Sequence, residues 1–142
     1  FLTAGAVMKQ LEIRNIQDMG GLAGQMPITA TSSTTAALSI GGVPPFACFM
    51  SEFIIFVGAF QAINADGFYL LPTALMLVAT VISLAYSLRF LSHVFLGHLK
   101  HEKITDVPLL MKLSMLALAA IVIILGVWPT FFVHIISATP LV

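Results

Sequence analysis

Glu52 is the residue whose type and position most favour chemistry in this sequence. It lies in a strongly apolar segment, after Phe49-Met50 and before Phe53-Ile54-Ile55. An ionised carboxylate in such surroundings is costly unless it is protonated, paired or hydrated. Two interpretations follow: a neutral acid that bonds a neighbouring helix for packing, or a site that binds a proton or a cation. Ionisable residues within membrane segments are functional by default, which favours the second.

A helix break is predicted just before Glu52. The run Gly41-Gly42-Val43-Pro44-Pro45 contains two prolines, which lack an amide donor and restrict the residue before them. We therefore place one broken helix near residues 41–52. A helix interrupted at membrane depth is tolerated where it lines protein or a water-filled cavity. The same run is also typical of an ordinary reversal between two spans.

Hydroxyl side chains are dense in the segment that precedes the break, residues 28–40. Such hydroxyls cannot all bond to carbonyls of their own helix while facing lipid, so we expect this helix to be buried among others or to line water. Close helix packing through small residues is the alternative to a hydrated path. The candidate path-lining residues are Thr31, Ser32, Thr35, Ser39 and Ser51.

Lys112 is the other charged residue predicted within a span. It lies one turn after Pro108, where it either snorkels to the interface or points inward as a relay. His98 and His101 have no cysteine or carboxylate partner at a recognisable spacing, so we expect no metal site. No phosphate loop, dinucleotide fingerprint or haem motif occurs, and we expect no cofactor and no redox chemistry in this chain.

Long uncharged segments separate the charged residues and predict the helices that must position Glu52 and Lys112. Of 142 residues, 59% are hydrophobic and 8% charged, and the mean hydropathy is +1.06. Soluble domains carry about 25% charged residues. Uncharged runs of 33 residues after Asp18, 22 after Asp66 and 30 after Lys112 are each long enough to cross a bilayer. The composition predicts an all-α polytopic transmembrane helix bundle, and its zero net charge argues against nucleic acid as a partner.

The predicted bundle has about four full spans plus the end of a fifth. The four spans are about 28–40, 45–63, 69–96 and 108–136, and residues 1–8 are the last turns of a further helix. Alternating strands of a transmembrane barrel are absent from the sequence pattern. The single cysteine, Cys48, excludes an internal disulfide.

Several strings in the sequence resemble one family of membrane proteins. FLTAGAV, RNIQDMGGLAGQMPIT and LSIGGVPPFACFMSEFIIFVGAF occur in this order, followed by LAYSLRFLSHVFLG and VIILGVWP. Their order and spacing resemble the proton-conducting, antiporter-like membrane subunits of respiratory complex I. That family includes the M-type chain of complex I, the Mrp-type cation/proton antiporters, and the membrane arms of energy-converting hydrogenases and F420H2 dehydrogenases.

The resemblance implies that this chain is the C-terminal part of an antiporter-like domain built from two inverted five-helix repeats. Residues 45–64 would be the broken helix of the second repeat, whose ionisable residue is lysine in many members and glutamate in the M-type chain. Glu52 would then be a proton relay that exchanges protons with a lysine upstream of Phe1. The implied partners are other membrane subunits, the lipid bilayer and protons or Na⁺, and the implied location is a prokaryotic cell membrane, crossed several times.

Three functions are compatible with this resemblance. The first is a proton-translocating subunit of a redox-driven complex, of the NADH:quinone, F420H2 or hydrogenase type, which the glutamate at position 52 favours. The second is a subunit of an Mrp-type monovalent cation/proton antiporter. The third is a truncated scaffold that has lost transport. In the first case the chain belongs to a translocase but contributes no redox chemistry of its own.

Overall fold

The described residues form helices joined by short turns. A computed structural model describes residues 1–100 and 104–130. Its helices are α1 (Leu2–Leu11), α2 (Pro27–Ile40), α3 (Ala47–Ala65), α4 (Leu70–Val94) and α5 (Leu109–Val127), with 3₁₀ turns at Ile16–Asp18, Leu22–Gly24 and Gly67–Tyr69. No strand occurs within these two ranges, so the predicted all-α class is confirmed.

Three segments are long and apolar enough to cross a membrane. They are Ala47–Asn64, Gly67–Val94 and Leu109–Val127, close to the predicted spans 45–63, 69–96 and 108–136. In an apolar 18-residue stretch of each, only 0%, 6% and 11% of the residues are buried within the chain. Apolar surface of this extent is covered by lipid or by other protein. The protein is therefore an integral membrane protein with several spans.

Helix α2 differs from these three. It corresponds to the predicted span 28–40 but has only 14 residues, or about 21 Å at about 1.5 Å per residue. That length is shorter than a hydrocarbon core of about 30 Å. It contacts α1, α3, α4 and α5, and it buries Thr29, Ser32, Ser33 and Ser39. The hydroxyl-rich helix thus lies at the centre of the bundle, as the sequence predicts.

Helix α5 is interrupted at Trp128. The sequence places the end of the fourth span near 136. In the described part of that span, α5 ends at Val127, Trp128 has φ −123° and ψ 60°, and Pro129 and Thr130 are helical again. Pro129 explains this end, because proline disfavours the helical conformation of the residue before it and donates no hydrogen bond. Residues 131–136 and His101 lie outside the described residues.

The connection between α1 and α2 packs into the bundle. Met19 and Leu22 are buried together with Val94 and Phe95 at the end of α4. Gly21 adopts φ +69°, and a Cβ there would lie 2.7 Å from the backbone of Leu99. Its amide donates to the Leu96 carbonyl at 3.2 Å. A glycine is therefore required where this connection crosses the end of α4.

Gly126 sets the distance between α5 and the start of α3. It is buried, and a Cβ at this position would collide with the Pro45 carbonyl oxygen and lie 2.5 Å from the Phe46 carbonyl carbon. The two backbones therefore approach each other more closely than any side chain allows. Through this contact α5 supports the turn between α2 and α3.

We expect Gly126→Ala to weaken the bundle. The added methyl group must push α5 away from residues 45–47, and overpacking of this kind costs about 1–3 kcal/mol. The measurement is the thermal unfolding midpoint of the detergent-solubilised complex that contains the full-length subunit. Gly5→Ala in α1 is the control, since nothing lies within 4 Å of its added Cβ. Equal midpoints for the two variants would contradict the close approach.

Candidate functional site

At the break between α2 and α3, backbone hydrogen bonds cap the C-terminal end of α2. Gly41 caps α2 and Gly42 follows with φ +65°, a left-handed conformation that glycine adopts without strain. The amide of Val43 donates to Leu38 O, and that of Gly42 to Ser39 O, both at 3.0 Å. This pattern is a Schellman motif.

The last four carbonyls of α2 all have partners. Besides the two bonds of the Schellman motif, Ala37 O accepts from the Gly41 amide at 3.0 Å, and Ile40 O accepts from Ser83 Oγ of α4 at 3.3 Å. The carbonyls at this helix end are therefore satisfied within the protein.

The break lies where the Gly41-Gly42-Val43-Pro44-Pro45 run predicts it, within the broken-helix region near 41–52. It covers residues 41–46, including Pro44 and Pro45, which are exposed and joined by a cis peptide bond. Residues 47–52 belong to the regular helix α3. A helix starts this early because no proline or glycine follows Pro45 until Gly58. Glu52 therefore lies on an intact helix beside the break.

The Glu52 side chain is directed back over the break. Its carboxylate covers Gly42, where a Cβ would collide with Oε2 and lie 2.9 Å from the carboxyl carbon. Glu52 is half-buried, whereas Phe53, Ile54 and Ile55 beyond it are each 53% exposed. The geometry thus holds an acid on the inner side of an otherwise apolar span.

A cavity of about 250 Å³ surrounds this carboxylate. Its walls come from the break, α3 and α4, and they are apolar apart from Glu52 and Thr80. The Thr80 hydroxyl donates to Leu77 O at 2.8 Å. No lysine, arginine or histidine nitrogen of residues 1–100 and 104–130 lies within 4.0 Å of the Glu52 carboxylate.

The five candidate path-lining hydroxyls have different environments. Thr31 and Ser51 are exposed and donate to carbonyls of their own helices, Ile28 O and Cys48 O. Thr35 donates to Thr31 O at 3.0 Å, and Ser39 lies 3.4 Å from Cys48 Sγ across the break. Ser32 is the remaining member.

Ser32 is buried without a protein partner. It is 4% exposed, and its Oγ makes no hydrogen bond to any described residue. A buried hydroxyl left unsatisfied costs about 1–3 kcal/mol. Ser32 and Thr35 both line a cavity of about 290 Å³ between α1, α2 and α5.

Lys112 forms an ion pair that ties α5 to α2. Its Nζ lies 3.1 Å from Asp106 Oδ2, with the two side chains 23% and 13% exposed. Asp106 Oδ1 accepts hydrogen bonds from Thr29 Oγ1 of α2 at 3.2 Å and from the Val107 amide at 2.9 Å. A cation in the first turn of a helix opposes the helix dipole, and Asp106 compensates for this.

We expect Lys112→Met to destabilise the bundle by about 1–2 kcal/mol, because it leaves the Asp106 carboxylate without its cation in a mostly buried position. Adding Asp106→Asn to this variant removes the unpaired charge and restores part of the loss. Thermal unfolding of the solubilised complex measures both effects. Lys9→Met, at an exposed position of α1, is the control and leaves the midpoint unchanged. A double variant no more stable than Lys112→Met would contradict the pairing.

The structure separates the predicted site residues into two groups. Glu52 lies with Gly41 and Gly42 at the break, while Lys112 lies at the start of α5 and pairs with Asp106. Asp106 was not among the candidates from the sequence. No local signal marks it, because its partner Thr29 lies 77 residues away in the sequence.

Comparison with known proteins identifies the family. The model of the family described as "NADH:quinone oxidoreductase/Mrp antiporter, TM" matches residues 1–83, more than half of the chain. The chain belongs to this family. The resemblance seen in the sequence is thereby confirmed, with the chain corresponding to a C-terminal portion.

Individual curated proteins match a longer part of this chain than the family model does. The Na(+)/H(+) antiporter subunit A1 of Staphylococcus aureus strain JH9 is 37% identical over 139 residues, and that of strain Newman is 36% identical over 139 residues. Each match covers 91% of this chain and 17% of the relative. The chain thus spans about a sixth of the length of these curated relatives.

A solved member shares the fold. A chain in the structure of the Mrp complex from Dietzia sp. DQ12-45-1b superposes with a TM-score of 0.78 at 18% sequence identity. The match covers 92% of this chain and 32% of the other. The chain therefore shares the helical arrangement of that part of the Mrp complex chain.

Proposed function

We propose that this chain is part of a subunit that exchanges a monovalent cation for protons, with Glu52 as its proton-binding carboxylate. Relatives named Na(+)/H(+) antiporter subunit A1 support the exchange reaction. The observation that carries the role of Glu52 is the position of its carboxylate against Gly42 at the helix break. Other membrane subunits and lipid are the proposed partners.

The surroundings of Glu52 suit reversible protonation. The Glu52 side chain lines an apolar cavity and has no paired cation among the described residues, so a charge that approaches it is not compensated nearby. At an effective dielectric constant of about 20, a unit charge about 6 Å away changes the energy of the ionised form by roughly 3 kcal/mol. The arrival or departure of one cation or proton nearby is therefore enough to load or release the proton.

The closed end of α2 supports this exchange. Because the last four carbonyls of α2 are bonded within the protein, water that enters the cavity meets the Glu52 carboxylate as its main polar partner. A carboxylate has two oxygens and about four lone-pair directions, which can hold several waters. This favours passage of a proton, which moves along hydrogen-bonded water.

Cation/proton exchange is preferred here to redox-driven pumping. The sequence favours a redox-driven complex first, because of glutamate at position 52. The similar curated proteins reported above are antiporter subunits, and this supports the exchange reaction. The two functions differ in a property that can be measured: exchange needs no electron donor.

Everted membrane vesicles that carry the whole complex test the proposal. A pH gradient is imposed by ammonium dilution, with no electron donor present, and NaCl, LiCl or KCl is then added. We expect at least one of these salts to dissipate the gradient, as read by a pH-sensitive dye, while choline chloride does not. A gradient that changes only during oxidation of NADH would favour the redox-driven complex. No change under either condition would favour the scaffold.

A further inference from the structure

A cavity of about 700 Å³ lies between α1, the connection that follows it, α2 and α4. We call it the basic cavity, because its lining includes Arg14, Arg89 and His93 but no aspartate or glutamate of the described residues. None of its lining residues also lines the cavity around Glu52. The basic cavity is therefore a separate feature of the bundle.

The two arginines of the basic cavity have no anionic partner in the described part of the chain. Both side chains are exposed, and no aspartate or glutamate oxygen of residues 1–100 and 104–130 lies within 4.0 Å of either guanidinium group. A guanidinium group offers a planar fork of N–H donors that fits the oxygens of a phosphate group. Two such groups in one cavity favour a ligand that carries a phosphate.

The basic cavity lies at the end of the bundle that carries the positive charge. At this end the Gly21 amide donates to Leu96 O after α4, and Gln25 Oε1 accepts from the Ile104 amide before α5. All lysines and arginines of the described residues lie here, namely Lys9, Arg14, Arg89, Lys100 and Lys112. The positive-inside rule therefore places this end on the cytoplasmic side. Basic pockets between membrane helices on that side bind the head groups of anionic lipids.

The inner part of the basic cavity has an apolar wall on α2. This wall consists of Ala36, Ala37 and Ile40. Ile40 lies level with Ser83 of α4, whose hydroxyl donates to Ile40 O at 3.3 Å. Ser83 is six residues before Arg89, or about 9 Å deeper in the membrane at about 1.5 Å per residue. A ligand that fills the cavity thus meets cations near the membrane surface and apolar side chains further in, as a phospholipid does.

We propose that the basic cavity binds an anionic phospholipid, whose phosphate diester is held by Arg14 and Arg89 and whose acyl chain lies along α2. Tyr86, one turn before Arg89 on α4, lines the same cavity. Tyrosine side chains favour the level of lipid head groups, which suits a place beside the glycerol of the bound lipid. This inference goes beyond cation/proton exchange and does not depend on it.

Photochemical cross-linking from Tyr86 identifies the occupant. Tyr86→p-benzoylphenylalanine is compared with Tyr69→p-benzoylphenylalanine, at a similarly exposed tyrosine that precedes α4 and does not line the cavity. Each variant of the whole complex is reconstituted in vesicles that contain equal amounts of phosphatidylglycerol and phosphatidylcholine in both leaflets. After irradiation, mass spectrometry of the labelled peptide identifies the attached molecule.

We expect the ratio of phosphatidylglycerol to phosphatidylcholine adducts to be at least about fivefold higher at position 86 than at position 69, which is the effect of about one basic side chain on an anionic lipid. Adding Arg14→Gln and Arg89→Gln brings the ratio at position 86 down to that at position 69. Lys9→Gln is the matched control and keeps the enrichment, since it removes an exposed cation at the same end but outside the cavity.

Three results would overturn the inference. Equal ratios at positions 86 and 69 are expected if the cavity holds free phosphate. Adducts of position 86 with a peptide in place of lipid mean that another protein segment fills the cavity. Enrichment that persists in the double arginine variant means that the arginines do not hold the lipid. Should the double variant not assemble, the comparison of positions 86 and 69 decides.

Discussion

Glu52→Gln is expected to reduce cation-dependent proton exchange to less than about a tenth of the wild-type rate, because an amide cannot bind and release a proton. Glutamine has nearly the same size and keeps the contact with Gly42, so the complex should assemble in normal amounts. The measurement is the salt-induced loss of a pH gradient in everted vesicles, divided by the amount of complex determined by immunoblot.

The control for this variant is Asp66→Asn. It makes the same change from acid to amide at the exposed end of α3, where Asp66 Oδ1 accepts a hydrogen bond from the Phe68 amide at 3.0 Å. Asparagine keeps that acceptor, and we expect exchange to remain at the wild-type rate. Full exchange by Glu52→Gln would exclude Glu52 as the proton-binding group.

Gly42→Ala is expected to impair both stability and exchange. At φ +65° an alanine costs about 1–2 kcal/mol relative to its favoured conformations. Its methyl group would also occupy the space of the Glu52 carboxylate and force that side chain away from the break. We therefore expect a lower thermal unfolding midpoint and an exchange rate well below that of the wild type.

The matched control is Gly58→Ala on the same helix as Glu52. Nothing lies within 4 Å of a Cβ added at Gly58, and alanine favours the helix by about 0.8–1.0 kcal/mol over glycine. This variant should be as stable as the wild type or more stable, with unchanged exchange. If Gly42→Ala lowers stability alone and exchange per complex stays normal, the position of the carboxylate over Gly42 is unimportant for transport.

The helices themselves were largely predictable. Long uncharged runs locate α4 and most of α5, because a bilayer excludes charge, and the Gly-Gly-Val-Pro-Pro run locates the break before α3. The central position of α2 followed from its hydroxyls, which lipid would not satisfy. The interruption of the last helix at Trp128 was also available from Trp128-Pro129, because proline disfavours the helical conformation of the residue before it.

Long-range contacts were not predictable. Thr29 and Asp106 are 77 residues apart in sequence, so no local pattern links the acid before α5 to the hydroxyl of α2. Gly126 lies in an apolar run where glycine has no distinctive signal, and only the packing of α5 against residues 45–47 reveals why a side chain is excluded. The direction of the Glu52 side chain likewise depends on the conformation of Gly42.

The claim that Glu52 binds and releases a proton is tested most directly by infrared difference spectroscopy of the purified complex. Spectra are recorded across a pH titration and on addition of Na⁺, for the wild type and for Glu52→Gln. We predict a carboxylic acid C=O band that titrates, shifts in D₂O, responds to Na⁺ and is absent from the variant. Identical difference spectra for the two proteins would mean that Glu52 does not change its protonation state, and would contradict the account.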